Sequence, residues 1–549
     1  LSNRSTSGRA DLAAWLADQP DDFLVSARLL GLLQAQDWSA TEHARHGPAL
    51  AQYGQVVARE LDGVAAQNNQ PANLPRLAGW DGIGQASDPV QHHPTWWQAG
   101  RLIYGSGIMA AYGDRPVSHR AILSLFYLSS HVGEGGHNCP LACTAGAIRA
   151  LQALGTPEQR DRFLPRLLDS DFDTNFTAAQ FLTEVQGGSD VGANATVARP
   201  QPDGSWRIHG EKWFCSNIDA DVIIMSARPE GQPAGTRGLS MFLVPAVLAD
   251  GTRNHFKVRR LKDKLGTRSM ASAELDFHGA VAEPLGPIAS GFVNLMTLVI
   301  NTSRLYNAFG CAGIAQRSYL VASGYARHRR AFGQPIAAYP LVQETLALIL
   351  ADAEACLAGS WMLAGLQERL DAGQATDTER GFFRVALNLN KMRTAQLGHD
   401  AVCRGIEVLG GNGAIESFSV LPRLLRDNVV YENWEGTHNT LMLQVLRDCK
   451  RLELHHAFFQ TLAERLDEDT LAGPRAAFES LLQAPPDLAT LQLRPVCVQL
   501  ATLVHLAALA PIQDPRVRGR AQLTRMHHLD GVVDRDASYL ALVGEAWQQ

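Results

Sequence analysis

The chain has 549 residues, 46% of them hydrophobic and 19% charged, so it can bury large cores and is long enough for several domains. Its 49 Lys and Arg against 55 Asp and Glu leave a net charge of −6, which excludes a general attraction to nucleic acid or anionic membrane. The eight cysteines (Cys139, Cys143, Cys215, Cys311, Cys356, Cys403, Cys449 and Cys497) contain no CxxC pair, which excludes a zinc ribbon or a dithiol redox motif, and no metal site is expected.

Reduced thiols in a cytoplasmic protein are the simplest account of scattered cysteines. The first twenty residues hold no apolar core ahead of a cleavage site, so no signal peptide is expected. No run of eighteen apolar residues occurs, so no membrane span is expected either.

Residues 1–175 read as helical. Apolar residues recur at helical spacing from Leu12 to Leu16 and from Phe23 to Leu30, with a break at Gln19-Pro20-Asp21-Asp22. Asn68 to Thr95 reads as a loop-rich interval, because prolines and glycines punctuate it. His131 to Pro140 reads as another loop, leading into a buried helix from Leu141. The texture changes at about residue 176. Val197–Pro200 and Trp206–Gly210 flank Asp203-Gly204, a good hairpin turn. Asp221–Ser226 and Leu239–Pro245 have strand length, and Ala273–Phe277 alternates with period two.

Residues 176–283 therefore form a β module inside a helical protein. Residues 284–450 return to the helical period, with long helices expected over 310–330, 342–370 and 378–409, lengths that suit a bundle. Residues 451–549 form a further helical segment, broken at Pro474, Pro485-Pro486, Pro495, Pro511 and Pro515. The expected fold is mainly α with a central β module, in four domains.

The stretch Asn433-Trp434-Glu435-Gly436-Thr437-His438-Asn439 opens an apolar helix, with Thr437 as its N-cap. Glu435 lies on the turn ahead of it, beside a large ring that hinders solvation of a carboxylate. A raised pKa there suits a general base. The same residues also describe a surface glutamate in a helix-start loop.

Five motifs change that balance. Leu182-Thr183-Glu184-Val185-Gln186-Gly187-Gly188-Ser189-Asp190 resembles the L-T-E-x-x-x-G-S-D motif of acyl-CoA dehydrogenases. Lys212-Trp213-Phe214-Cys215-Ser216-Asn217 resembles that family's K-x-W-I-T-N strand, and Arg329-Arg330-Ala331-Phe332-Gly333-Gln334-Pro335-Ile336 its R-x-x-F-G-x-P-I segment. Leu409-Gly410-Gly411-Asn412-Gly413 and Trp434-Glu435-Gly436-Thr437 complete the set, in the family's order. Gly136-His137-Asn138-Cys139-Pro140, the Gly187-Gly188 doublet and Leu261-Lys262-Asp263-Lys264-Leu265-Gly266 resemble its alkylation-response, AidB-like branch. That branch also carries an extra helical domain, which residues 451–549 would supply.

The resemblance implies FAD, held by Gln180, Leu182, Thr183, Gly188, Ser189, Phe214 and Ser216 from the β module and by Asn433, Trp434, Thr437 and Asn439. Glycines let backbone approach the pyrophosphate, and hydroxyls serve the ring edge and the phosphates. The family's Arg329, Phe332 and Gly411 positions reach the cofactor of a neighbouring subunit, which implies a homotetramer, a dimer of dimers. Pro340 and Glu407 stand near positions where the family often has glutamine. No GxGxxG occurs, which counts against a Rossmann-type nucleotide site.

Glu435 matches the catalytic base, which removes the α proton of an acyl-CoA thioester while hydride leaves the β carbon. Arg304 matches a family arginine near the acyl and CoA path, and an interior salt bridge is its other reading. A second function comes from the AidB-like branch: duplex DNA binding with weak or vestigial dehydrogenase activity. Residues 451–549 carry nine basic and twelve acidic residues, which argues against it. Arg516, Arg518, Arg520 and Arg525 beside His527 and His528 form the local basic cluster that could serve it; a solvated helix end is the plainer account.

Overall fold

A computed structural model describes residues 2–531 and 533–549, with side chains over 8–85, 90–531 and 533–549. It divides into two compact units. One comprises Leu1–Glu60, Ser118–Gly133 and Arg304–Gln549; the other comprises Leu61–Val117 and Glu134–Ser303.

The second unit contains the β module. A hairpin of β1 (Arg76–Trp80) and β2 (Ala86–Gln91) precedes it. The main sheet holds β3 (Ala178–Phe181), β4 (Val197–Pro200), β5 (Trp206–Ser216), β6 (Val222–Pro229), β7 (Ser240–Pro245), β8 (Phe256–Leu261) and β9 (Ser272–Pro284). Its order is β3-β6-β4-β5-β9-β7, with β8 on β9. An added β6–β7 pairing closes the path, so the module is barrel-like. Phe181, Ile208, Cys215, Met225, Phe242 and Phe277 fill the interior. The Asp203-Gly204 turn forms as read: Asp203 accepts the Ser205 N–H at 2.9 Å and Gly204 takes φ +82°.

Two stretches of this unit depart from the sequence reading. The interval 68–95 is not all loop, because β1 and β2 pair across a tip in which Asp81 accepts the N–H groups of Ile83 and Gln85. The helix expected from Leu141 begins at Gly135, capped by Glu134 and running to Leu154 with Pro140 inside it. Pro140 is the sixth residue of this helix and so forgoes a bond to the Gly136 carbonyl, a loss offset by the burial of Leu141, Ala142 and Cys143 beside it.

The first unit is helical. Helices Asn301–His328, Pro340–Asp371 and Asp377–Leu409 match the expected long helices, and a tight turn at Gly410–Ala414 ends the last. Thr376 and Glu379 form a capping box at its start. Helices Leu421–Asn433 and His438–Leu452 follow. At the N-terminal end, the Asp22 carboxylate captures the N–H groups of Leu24 and Val25 (2.8 and 3.2 Å), so the second helix starts at Arg28 and not at Phe23.

Residues 451–549 form helices, but Pro474 and Pro495 do not break them. They lie inside Glu468–Gln483 and Pro486–Leu509. The buried Leu471, Phe478, Leu493 and Leu500 flank them, and this burial offsets a kink that costs about 3 kcal/mol in isolation. Pro340–Asp371 and Pro486–Leu509 are long and apolar enough to cross a membrane, yet 89% and 67% of their apolar windows are buried inside the protein. Core packing accounts for their composition.

Candidate active site

In the β unit, β3 runs into the Thr183–Ser189 turn. The Glu184 carboxylate is buried there and pairs with Lys212 of β5 at 2.7 Å; it also accepts the Ala195 N–H at 2.6 Å. Burial pushes the Glu184 pKa up, but the Lys212 charge and these hydrogen bonds outweigh it and hold the group below its usual value. The pair locks the turn to the barrel, as do the Trp213 N–H on the Thr183 carbonyl (2.9 Å) and the Asn194 amide on the Leu182 carbonyl (2.6 Å). Gln180 donates to Ser303 at 2.9 Å.

The two glycines differ in what they do. A Cβ on Gly187 would lie 2.4 Å from the Asp190 carbonyl oxygen, so Gly187 is required by the turn itself. Gly188 and Ser189 are exposed, and a Cβ on Gly188 would press on the Thr183 methyl at 3.3 Å. Gly188 thus keeps an open cradle above Thr183.

On β5, Phe214 leaves 52% of its surface exposed, and the Ser216 hydroxyl bonds that of Ser272 at 2.9 Å. Lys262, fixed by Glu274 at 2.8 Å, sits 3.6 Å from the Trp213 ring and 4.7 Å from that of Phe214. An exposed aromatic face beside an open glycine turn fits an isoalloxazine ring and its phosphates.

In the helical unit, Glu435 lies on the turn between Leu421–Asn433 and His438–Leu452, at φ +60°. Thr437 caps the second helix as expected, accepting the Thr440 N–H. Glycine-like dihedrals on a glutamate are a strained choice that the surroundings must enforce. Three contacts do so. Arg304 Nε donates to the Glu435 carbonyl at 3.2 Å, and Lys391 Nζ donates to the carbonyls of Glu432 and Gly436, both at 3.0 Å.

Burial pushes the Glu435 pKa up to about 7, against the opposing pull of Arg304, of Lys391 and of a hydrogen bond from the Trp434 side chain. Trp434 therefore acts partly as a donor as well as an apolar cover. The Arg304 guanidinium is buried and also donates to Asn388 (2.7 Å) and Gln444 (3.4 Å). These contacts tie it to two further helices of the same unit.

Asn433 turns its amide to the Val429 carbonyl (2.9 Å), and Asn439 accepts from Arg494 at 2.6 Å. Arg329 precedes a two-residue hairpin, Arg330–Ala331 against Gln334–Pro335, with Phe332 at its tip. Phe332 takes φ +51° and is 97% exposed. Gly411 is exposed, and a Cβ on it would meet nothing within 4 Å. Both positions face open space within this chain.

The basic cluster does not survive as a surface patch. Arg520 is 1% exposed and bonds Glu354 through two nitrogens (2.6 and 2.7 Å). His528 bonds Asp352 at 2.7 Å and Arg393 at 2.9 Å, and Arg525 is spent on Thr470 and Asp530. Arg516 and Arg518 remain exposed, each donating to a backbone carbonyl. Arg520 is a core residue, not a DNA contact. No group of three or more metal-ligating side chains occurs among the described residues.

Lys391 and Asn388 carry no motif in the sequence, and the motif that contains Lys262 does not show its contact with Trp213 and Phe214. Residue type offered little signal for the first, since Lys391 follows two asparagines in Leu387-Asn388-Leu389-Asn390.

Comparison with known proteins defines the class. Residues 179–280 match the acyl-CoA dehydrogenase middle domain and 289–449 the acyl-CoA dehydrogenase C-terminal domain. The chain is 32% identical over 462 residues to acyl-CoA dehydrogenase family member 11 of Caenorhabditis elegans, covering 81% of this chain and 74% of that protein. The chain belongs to the acyl-CoA dehydrogenase family.

Within the family, residues 28–174 match the N-terminal domain of the adaptive response protein AidB, so the chain lies on the AidB-like branch. It is 33% identical over 386 residues to AidB of Escherichia coli, covering 68% of this chain and 69% of that one. Of solved structures, the apo form of Bd2924 superposes with a TM-score of 0.84 at 30% identity, over 89% of this chain and 98% of that one. The Caenorhabditis elegans protein, solved in complex with C11-CoA, superposes with a TM-score of 0.83 at 26% identity, over 95% of this chain and 94% of that one.

Proposed function

We propose that the protein is an FAD-dependent acyl-CoA dehydrogenase in which Glu435 is the base. The observation that carries this is the Glu435 turn: a glutamate held at φ +60° between the buried cations Arg304 and Lys391, which donate to the carbonyls on either side of its carboxylate-bearing residue and to its own. The cofactor is FAD. Thr183, Gly188, Ser189, Phe214 and Ser216 hold it from the β unit, where the exposed ring and open turn fit it. FAD supplies, when bound, the acceptor for the hydride that leaves the substrate's β carbon.

The Glu435 carboxylate takes the α proton. That proton is weakly acidic, so the charge developing on the thioester oxygen must be met by donors already in place. The Glu435 backbone N–H is the donor this chain provides, and the clamped turn keeps it from wandering. The substrate class is an acyl-CoA, supported by the relative solved with C11-CoA. Anaerobic addition of acyl-CoAs from short to long chains, C11-CoA included, tests the reading: loss of the flavin's visible absorbance is expected with at least one. A protein that holds FAD and is reduced by none is not a dehydrogenase.

Two expected results follow for the purified protein, which we place in the cytoplasm. It is yellow, with about one FAD per chain after gel filtration; a colourless protein that takes up no added FAD overturns the assignment. It is also a homotetramer, because Phe332 and Gly411 present themselves to open space and so, with the neighbouring Arg329, can serve a second subunit's cofactor. Multi-angle light scattering reads the mass directly, and an FAD-loaded monomer at micromolar concentration overturns it. Duplex DNA binding is not part of this reading, since Arg520 is buried and His528 is paired, which leaves Arg516, Arg518 and Arg525 as the cluster's surface arginines.

A further inference from the structure

Lys391 lies in the middle of the helix Asp377–Leu409 and is fully buried. An unpaired buried ammonium is costly, so its partners matter. Its hydrogen-bond acceptors are two backbone carbonyls that bracket the catalytic turn: Glu432 O, in the last turn of the helix Leu421–Asn433, and Gly436 O, one residue beyond Glu435. Carbonyls in a helix's last turn have no partner within the helix and carry the negative end of its dipole, so a cation there is doubly favoured. Arg304 takes the carbonyl between, that of Glu435. Two buried cations from two helices thus hold three carbonyls of one five-residue turn.

We infer that Lys391 is a positioning residue for the reaction: it fixes the left-handed turn that aims the Glu435 carboxylate, and it places a cation beside that carboxylate. The inference rests on Glu435 being the base. Among the groups whose charges act on Glu435, Arg304 comes from the helix Asn301–His328 and Lys391 from Asp377–Leu409. Cys311 and Glu432 act in turn on Lys391, Asp448 on Arg304, and His399 and His438 hold Glu432.

The two cations oppose the burial that raises the Glu435 pKa. Burial also lowers the Lys391 pKa to about 7, so its charge is sensitive to what surrounds it. Conventional packing would serve equally well with an apolar side chain at 391; a donor to two carbonyls beside a general base would not.

Lys391→Met keeps the length and apolar stem and removes the charge and the donors. In the FAD-loaded protein, the rate of flavin reduction by saturating acyl-CoA should fall by about 10²-fold, the cost of a misplaced catalytic group. The pH at which that rate is half-maximal should rise by about one unit, because an opposing charge has been removed from a carboxylate. Lys391→Arg, which restores charge and donors, should return the midpoint towards the parent's.

If Lys391→Met does not fold, Lys391→Gln, which drops the charge and keeps a donor, is read for the same rise in midpoint. A variant that binds FAD and keeps the parent's rate and midpoint overturns the inference. Glu435→Gln separates the two ideas. If it is reduced like the parent, the assignment of the base fails. If it is inert while Lys391→Met behaves as the parent, only the role of Lys391 fails.

Discussion

Glu435→Gln is expected to abolish flavin reduction by acyl-CoA while leaving FAD bound. The amide has the shape of the carboxylate and cannot accept the α proton, so the loss should reach about 10²–10⁴-fold, what a positioned general base contributes. FAD retention follows because the β-unit groups, Thr183 to Ser216, are untouched. The parent's own pH dependence carries the same logic. Burial raises the Glu435 pKa to about 7, and Arg304 and Lys391 keep it from rising further. Only the ionised form is a base. The reduction rate should therefore be low at pH 5.5 to 6, half-maximal near pH 7 and level above about pH 8, by the ordinary width of a single titration. Stopped-flow absorbance at saturating acyl-CoA measures it. A rate that is flat from pH 6 to 8, or a Glu435→Gln enzyme reduced as fast as the parent, removes Glu435 from the role.

What the sequence made legible divides along physical lines. The long helices, the Asp203-Gly204 hairpin and the β9 alternation were readable because one local rule, period or turn chemistry, decides each. The β1–β2 hairpin was not, because Gly79, Gly82, Gly84 and Pro89 mark a loop as readily as a short strand pair, and only pairing tells them apart. Pro474 and Pro495 misled in the opposite sense: the burial of neighbouring apolar residues outweighs a local penalty that sequence shows alone. The site divides the same way. Glu435, Thr437 and Phe214 carry motifs. Lys391 acts across helices on carbonyl oxygens, which leave no trace in residue identity. Arg520 was grouped with Arg516 and Arg518 by nearness in sequence, although helical spacing sets it three residues from both Val517 and Leu523, on the buried stripe.

Arg520→Met should destabilise the protein by about 3–5 kcal/mol, the cost of stranding one partner of a buried ion pair. The pair is bidentate, Nε and Nη2 of Arg520 on the two oxygens of Glu354, with Arg520 1% exposed. Burial already holds the Glu354 pKa above its usual value against the pull of Arg520; without the arginine the carboxylate has to be buried bare or protonated. Arg520 also donates to the carbonyls of Ala546 and Gln548, both at 3.2 Å, so the end of the chain loses its anchor as well. Urea denaturation followed by flavin release or circular dichroism reads the loss as a lower midpoint at unchanged slope. The double change Arg520→Met with Glu354→Met should recover most of it, because an apolar pair of similar volume carries no desolvation cost. It should not recover all, since the two carbonyl contacts remain lost, at about 1 kcal/mol each. Arg516→Ala and Arg518→Ala, at exposed positions, should shift stability by no more than about 0.5 kcal/mol. An Arg520→Met protein as stable as its parent would place this side chain back at the surface and reopen the basic patch; a large loss rescued by the paired substitution fixes it as the core contact that joins the C-terminal helices to the bundle.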